Sequence, residues 1–283
     1  DVNFFSANPA LVGDTLNGFA SASYQFYVAD VGQAFLSYAH SFSRLGTVAF
    51  GIQHINYGPI RGYDASGVET AEFNSGETGL MISKTHSVAN FRMGVTIKGV
   101  LSSIAGYRAS ALMADIGGVF IHPEKQFTVG MVFKNIGFVT SAYSSERDTR
   151  LPFDIQAGAT LKPEHMPLRF SLTAFNLSRP DATYYDPSVN DEKPGMLTKV
   201  MSHVNLGTEI LIHRNVNVMI GYNYLVHQAL KLSVGGAGAG ISLGFSAAIR
   251  SMELVFSRSA YAAGNAGYTF TLSTDVNKLL KRR

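Results

Sequence analysis

Charged side chains occur in the middle of alternating apolar segments, where they could either guide a solute or pair with one another. Basic and acidic members are nearly equal in number: Lys84, Arg92, Lys98, Lys134, Arg169, Asp115, Asp154, Glu209 and Glu253. A protein path lined by charges selects polar solutes or ions. Because the signs here are mixed and nearly balanced, we favour the other interpretation, a salt-bridged network that fills an interior lumen.

Histidine could supply metal ligands, and five of the eight histidines lie at or near predicted short turns: His40, His86, His122, His165 and His213. A zinc ion needs its nitrogen ligands at about 2 Å. Successive hairpins around a barrel are instead roughly 10–13 Å apart. We therefore predict no metal site and no cofactor, and we interpret these histidines as an interfacial ring in a chain without tryptophan.

One serine matches the letters of a hydrolase motif. The segment from Gly240 to Gly244 reads G-x-S-x-G around Ser242. A nucleophilic serine of this kind needs a sharp turn between a strand and a helix. Because Ser242 lies inside an alternating apolar segment, we predict that the protein is not an enzyme and has no catalytic residue.

The elements that must position the charged side chains are antiparallel strands. Between Phe91 and Phe133, three successive segments alternate apolar and polar residues with a period of two. Their apolar faces are rich in Phe, Met, Val and Ile, whereas their polar faces carry Arg and Lys in mid-strand. A barrel wall with lipid outside and a wet or plugged lumen inside accounts for both faces.

The alternation predicts fourteen strands in all, at residues 19–28, 32–41, 46–56, 77–86, 89–101, 108–121, 126–138, 153–162, 168–176, 203–213, 216–225, 238–248, 251–259 and 266–274. Short turns alternate with mostly longer loops, as in outer-membrane barrels. About ten residues with a rise of ~3.4 Å and a tilt of ~40° span roughly 26 Å, which suits a bilayer. We predict an all-β fold, a transmembrane antiparallel barrel over residues 19–275, in the outer membrane of a Gram-negative bacterium.

The two ends of the chain do not alternate. Residues 1–18 are apolar and irregular, with a turn signal at Asn8 and Pro9. On the periplasmic side of a barrel this segment is a plug candidate. No signal peptide is recognised, so we expect Asp1 to open an already mature segment. Residues 276–283 are predicted to form a basic tail.

Composition excludes several classes of protein. Charged residues make up only 15% of the chain, against about 25% in ordinary globular proteins. The net charge of +3 comes from Lys278, Lys281, Arg282 and Arg283, without which 19 basic residues face 20 acidic ones. We therefore predict no nucleic-acid surface. The chain has no cysteine and no apolar run near ~18 residues, which excludes disulfides and a transmembrane helix.

Aromatic residues in two long predicted loops could contact another protein. Tyr63 and Phe73 belong to the loop at 57–76, and Tyr184 and Tyr185 belong to the loop at 177–202. Exposed aromatic residues beside charges are typical of protein interfaces. They also occur as ordinary decoration of a barrel rim, and the sequence does not separate the two.

Several stretches in order along the chain resemble the PorQ family of the type IX secretion system. They are Phe5–Leu11, Gly51–Gly58, Gly94–Lys98, Ala114–Gly117, His122–Phe127, Lys134–Gly137, Leu151–Gln156, Gly221–Tyr224 and Phe270–Thr274. The triplet Asn8-Pro9-Ala10 is also similar to the wider fatty-acid-transporter type of barrel.

The resemblance implies a non-enzymatic outer-membrane component of a cell-surface attachment complex. Such a protein would anchor a PorZ-like surface protein and, through the complex, act with PorU- and PorV-like proteins that link secreted cargo to anionic lipopolysaccharide. Its other contact would be outer-membrane lipid. An alternative function from another class is a passive transporter of hydrophobic solutes, and a barrel enzyme of the phospholipase kind is a distant third.

Overall fold

A computed structural model describes residues 1–144, 150–181, 183, 194–230, 238–261 and 265–280. All fourteen predicted strands are present, and they close into one antiparallel barrel in which β1 pairs with β14. The strands are β1 Phe19–Phe26, β2 Gly32–Phe42, β3 Gly46–Ile60, β4 Phe73–Val88, β5 Phe91–Ile104, β6 Tyr107–Ile121, β7 Phe127–Ser141, β8 Asp154–Leu161, β9 Leu168–Ala174, β10 Val204–His213, β11 Val216–Asn223, β12 Ile241–Ile249, β13 Met252–Ala260 and β14 Ala266–Asp275. The predicted fold class is confirmed.

Turn lengths distinguish the two ends of the barrel. The connections at one end, here the short-turn end, are residues 43–45, 89–90, 122–126, 162–167, 214–215 and 250–251. Those at the other end, the long-loop end, are residues 27–31, 61–72, 105–106, 142–153, 175–203, 224–240 and 261–265. The predicted alternation therefore holds except at 105–106, where two residues join β5 and β6. Closure leaves no edge strand, because the first and last strands pair with each other.

Three short α-helices depart from the sequence prediction. They are α1 Met196–Ser202, α2 Tyr224–Leu230 and α3 Val276–Leu280. The first two lie in connections that the pattern predicts as loops, and α3 lies in the predicted basic tail, where Lys278 Nζ pairs with Asp275 at 3.1 Å. Among the described residues, no helix is both long and apolar enough to cross a membrane.

The wall is much taller on one side. Strands β3 to β7, here the tall side, have 14 to 16 residues each, whereas β8 and β9 have only 8 and 7. The prediction placed the start of β4 at residue 77 and the end of β3 at residue 56, so it missed the extensions of both strands. The alternation weakens there because Gly58 and Pro59 form an irregularity in the pairing of β3 with β4.

The outer face of the wall is apolar and held in register by aromatic pairs. Phe245, Phe256 and Phe270 are directly opposite one another on β12, β13 and β14. Their ring centroids are 5.7 Å and 4.9 Å apart; Phe245 and Phe270 are 41% and 45% exposed, and Phe256 between them is half-buried. Aromatic cross-strand pairs stabilise one register, and a slip by one residue would turn these rings into the lumen. In a bilayer, lipid covers such a face.

The hydrophobic core lies inside the barrel and is built by the N-terminal segment. Residues 2–16 form three 3₁₀ helices, Val2–Ser6, Pro9–Leu11 and Asp14–Leu16. Val2, Phe5 and Val12 are fully or almost fully buried against small and aromatic residues of β2 and β3. The segment is thus folded into the lumen rather than suspended below it.

Candidate functional site

Asn8 fixes the middle of the N-terminal segment to the wall. Its side-chain oxygen accepts a hydrogen bond from the Ala10 amide at 2.9 Å, which caps the second 3₁₀ helix. Its side-chain nitrogen donates to the carbonyl oxygens of Met131 at 3.2 Å and Gly118 at 3.4 Å, on β7 and β6. One short side chain therefore links the cap of a helix to two strands.

Glycines let the segment approach the wall at this point. A Cβ atom at Gly117 would lie 2.0 Å from Asn8 Oδ1, and one at Gly94 would lie 2.5 Å from the Pro9 carbonyl carbon. Thr85 Oγ1 then donates to the Pro9 carbonyl oxygen at 2.6 Å. Asn8 and Pro9, predicted as plug residues, both pack directly on the strands. The signal that could have located their dock is the pair of inward glycines.

Asn3 makes a second anchor nearer the start of the segment. Its amide nitrogen donates to Ser21 Oγ at 2.8 Å and Ser23 Oγ at 2.9 Å, and its oxygen accepts from Ser37 Oγ at 2.5 Å. At the other end of the segment, Thr47 donates to the Asp14 carboxylate at 2.7 Å. Inward Ser and Thr side chains of β1 to β3 thus hold the segment along its length.

A buried charged cluster lies on the tall side of the lumen. Lys98 Nζ is 2.7 Å from Asp115 Oδ1 and donates to Asn135 Oδ1 at 2.5 Å. The Asn135 amide in turn donates to the Asp115 carboxylate at 2.8 Å, at an irregularity in the pairing of β6 with β7. Asp115 is fully buried. Closed hydrogen bonding of this kind is what makes a buried ion pair tolerable.

Lys134 connects this side of the wall to the N-terminal segment by donating to the Ser6 carbonyl oxygen at 3.0 Å. Asp154, directly opposite Lys134 on β8, accepts a hydrogen bond from Gln156 at 2.7 Å through Oδ2. In the described part of the chain its other oxygen, Oδ1, is buried and has no hydrogen-bond partner.

The remaining predicted network residues lie elsewhere. Arg169 and Glu209 pair with each other between β9 and β10, and Glu253 lies on β13. Lys84 donates to the Thr85 carbonyl oxygen at 2.9 Å, and the guanidinium of Arg92 lies beside Gly13. The structure therefore distributes the nine charges over several separate groups, where the sequence predicts one network.

A polar cleft separates the N-terminal segment from the low side of the wall. Its volume is about 620 Å³, and its lining includes Gln25, Gln33, Arg169, Glu209 and Glu253. The segment docks on β1 to β7, and Ser273 Oγ on β14 donates to the Asp1 carboxylate at 3.3 Å, so most of the wall from β9 to β13 stays uncovered by it.

A smaller, mainly apolar recess of about 190 Å³ lies on the other flank of the segment. Leu11 of the segment and the wall glycines Gly130 and Gly158, which are paired directly, form its inner part. Met131 and Leu172, both nearly half exposed on the outer face, form its outer part. The recess thus lies where a glycine pair leaves the inner face of the wall without side chains.

The residues predicted to contact a partner have different positions. Tyr63 is 60% exposed and lies in the loop 61–72, bridged to Glu69. Phe73 was placed in a loop by the prediction but is the half-buried first residue of β4, where it pairs with Ile60; its contact with a partner stays a prediction. Tyr184 and Tyr185 lie outside the described residues.

Exposed apolar residues at the long-loop end escaped the sequence analysis. Met196 and Leu197, on α1, are 84% and 76% exposed. The pattern signal was absent because a helix of seven residues is too short to show a period.

The loop 61–72 is an ordered turn. The Asp64 carboxylate accepts hydrogen bonds from Ser66 Oγ at 2.7 Å and from the Val68 amide at 2.9 Å. These bonds favour the charged form, and they lower the pKa of Asp64 below its ordinary value of 3.8.

His122 and Ser242 have local structural roles. His122 Nδ1 accepts hydrogen bonds from the amides of Glu124 at 3.2 Å and Lys125 at 3.0 Å, which closes the turn between β6 and β7. Ser242 lies within β12 and donates to Ser259 Oγ at 3.0 Å. It is therefore not on a turn from a strand to a helix, as a nucleophile elbow requires.

Comparison with known proteins identifies the fold. No protein-family model matches the chain, and no curated protein matches it significantly. Among solved structures, the toluene transporter TodX of P. putida is similar, with a TM-score of 0.51 and 10% identity over 95% of this chain and 93% of that one. The deltaS2 mutant of the TodX monoaromatic hydrocarbon channel has a TM-score of 0.51 and 9% identity over 96% and 92%. A FadL homologue of Pseudomonas aeruginosa has a TM-score of 0.41 and 12% identity over 91% and 89%. The likeness to TodX is one of fold.

Proposed function

We propose that the protein is an outer-membrane β-barrel of a Gram-negative bacterium that passes small hydrophobic solutes. The observation that carries this proposal is the mainly apolar recess between the N-terminal segment and the outer face of the wall. Its inner part is floored by Leu11, and its outer part by Met131 and Leu172. The fold shared with TodX, a toluene transporter, supports the same class of solute.

A matched pair of glycine variants tests this function. Gly158→Leu would place an inward side chain in the recess, and a Cβ there meets only ordinary contacts at 3.5 Å and 3.6 Å. Gly221→Leu is the control, since it also points into the lumen, its Cβ contacts are 3.5 Å and 3.9 Å, and it lies on β11 away from the recess. Neither substitution forces a backbone clash.

The measurement is uptake of radiolabelled toluene by vesicles whose outer leaflet is lipopolysaccharide, which slows passive entry of apolar molecules. We expect the protein to accelerate uptake, Gly158→Leu to lose most of the acceleration and Gly221→Leu to keep it. Uptake at the protein-free rate, or equal loss in both variants, would contradict the proposal.

A second function, anchoring a surface protein, is favoured by exposed apolar residues at the long-loop end. Met196, Leu197 and Tyr63 are between 60% and 84% exposed there. Exposed apolar and aromatic residues are typical of interfaces. With the resemblance to the PorQ family, this supports membership of a type IX attachment complex in which a PorZ-like protein binds the barrel and PorU- and PorV-like proteins act with it.

Recovery of a PorZ-like protein with the tagged barrel tests this second function. We expect the double variant Met196→Asp/Leu197→Asp to recover much less of it. Leu45→Asp, at the short-turn end and also 61% exposed, should recover as much as the unsubstituted protein. If the double variant and Leu45→Asp recover equal amounts, the long-loop end is not the binding surface.

A further inference from the structure

We propose that the polar cleft conducts small inorganic cations past the N-terminal segment. This inference does not depend on the passage of hydrophobic solutes, which uses the recess on the other flank. It rests on the length of the cleft, on its polarity and on one unpaired carboxylate.

The cleft extends along almost the whole low side of the wall. At the short-turn end it is lined by Glu253 and Arg169, each the second residue of its strand. At the long-loop end it is lined by Gln25, next to the end of β1, and by Gln33, next to the start of β2. Polar side chains thus line the cleft from one end of the barrel to the other. We expect water to fill a cleft with such a lining.

Beside the apolar side chains of Phe4, Phe35, Met219 and Val255, the cleft is lined by neutral hydrogen-bonding groups. They include Asn217, Ser246, Ser257, Thr269 and Thr271, from β11 to β14. Hydroxyl and amide groups can replace part of the hydration shell of an ion, whereas an apolar constriction would exclude it. The volume of about 620 Å³ leaves room for several waters beside an ion.

The charges of the cleft favour cations. Arg169 is neutralised by its pairing with Glu209. Glu253, in the described part of the chain, accepts no hydrogen bond and has no ion-pair partner within 4 Å. The amino group of Asp1 lies near Glu253, and the Asp1 carboxylate also lines the cleft, so three carboxylates (Asp1, Glu209 and Glu253) face two cationic groups there. The excess charge is therefore negative, and low-dielectric walls concentrate counter-ions around such a charge.

The sequence analysis favoured a salt-bridged network that fills the lumen, because the inward basic and acidic side chains are nearly equal in number. That balance describes the whole lumen, but the N-terminal segment divides it. Lys98, Lys134 and their acidic partners lie on the side that the segment covers, and they do not line the cleft. An ion in the cleft meets the local set of charges, of which Glu253 is the unpaired member.

Current through the full-length protein in a planar lipid bilayer tests the proposal, with a KCl gradient to measure ion preference. We expect K⁺ to be favoured over Cl⁻. Glu253→Gln keeps the size of the side chain and removes its charge, so it should lower the K⁺/Cl⁻ permeability ratio by about threefold, the effect of one nearby charge in a wet pore. Because this ratio is read only from open, folded barrels, failed folding cannot imitate the result.

A matched pair on one strand tests the location. Ser257→Trp would fill the cleft, and Leu254→Trp would place the same side chain on the outer face, where Leu254 is 44% exposed. We expect at least a severalfold loss of conductance in the first and none in the second. Absence of current, a preference for Cl⁻, or equal conductance in the two variants would overturn the proposal. Cation currents without toluene uptake would refute only the hydrophobic-solute function.

Discussion

Replacing Gly94 by alanine should displace the N-terminal segment from its dock. The added Cβ would lie 2.5 Å from the Pro9 carbonyl carbon and 2.7 Å from the Ala10 nitrogen. Both are backbone atoms, so no rotation of a side chain relieves the contact. Gly99→Ala is the control on the same strand, since a Cβ there meets nothing within 4 Å.

The magnitude follows from the hydrogen bonds that hold the dock. Restoring an ordinary carbon contact requires the segment to move by about 1 Å, because real Cβ contacts lie beyond ~3.4 Å. A shift of that size breaks the bond from Thr85 to Pro9, at 2.6 Å, and the two bonds from Asn8 to the wall, at 3.2 Å and 3.4 Å. At ~1 kcal/mol for each hydrogen bond, the free energy of docking falls by about 3 kcal/mol. The undocked population should then rise roughly 100-fold.

Hydrogen exchange of the backbone amides of residues 2–12, measured in detergent by mass spectrometry, checks this prediction. We expect these amides to exchange roughly 100-fold faster in Gly94→Ala, whereas the amides of β12 to β14 keep their protection. Gly99→Ala should leave both sets unchanged. If Gly94→Ala protects residues 2–12 as well as the unsubstituted protein does, the segment is not held by this dock.

Three further predictions concern the buried ion pair of the wall, the N-terminal segment and the loop 61–72. Asp115→Leu leaves Lys98 buried without its counter-ion and should lower the free energy of unfolding, measured by urea titration, by about 3–5 kcal/mol. Adding Lys98→Met should restore much of this stability, and no restoration would contradict a paired cluster. Phe5→Ala removes a fully buried ring and should cost about 3–5 kcal/mol of docking, measured as faster exchange of residues 2–6; unchanged exchange would contradict a packed core. Because hydrogen bonds lower the folded pKa of Asp64, its stabilisation of the loop 61–72 is present above about pH 4 and is lost as the pH falls through that lower pKa. Amide exchange of this loop between pH 5 and pH 2, corrected for intrinsic rates, should show the loss, and Asp64→Asn should lack the transition.

The strands were predictable because every strand of a barrel wall has the same alternation of apolar and polar residues. Every strand alternates between lipid and lumen, so the period of two persists through all fourteen. The prediction weakened where that alternation has no bilayer to enforce it, as in the upper parts of β3 and β4 beyond Asn56. It also missed α1, because a single turn or two of helix leaves no readable period.

The site was predictable in its components and not in its arrangement. Asn8 and Pro9 were recognisable as a turn, but the glycines that receive them, Gly94 and Gly117, lie about 80 and 110 residues further along the chain. Likewise, alternation identified which charges point inward without showing which of them meet. Arg169 and Glu209 pair because β9 and β10 place them directly opposite each other, which depends on strand register.

The position of the N-terminal segment decides what the lumen can do. Had it filled the barrel evenly, the inward charges would form one balanced network and no path would remain. Its anchors instead lie on β1 and β2 through Asn3, on β3 through Asp14, and on β6 and β7 through Asn8, so it lies against the tall side. The low side, from β9 to β14, then keeps a polar cleft in which the Glu253 carboxylate has no ion-pair partner within 4 Å among the described residues. Release of the segment, as in Gly94→Ala, would merge the cleft with the apolar recess. The cleft and the recess are therefore separate only while the dock holds.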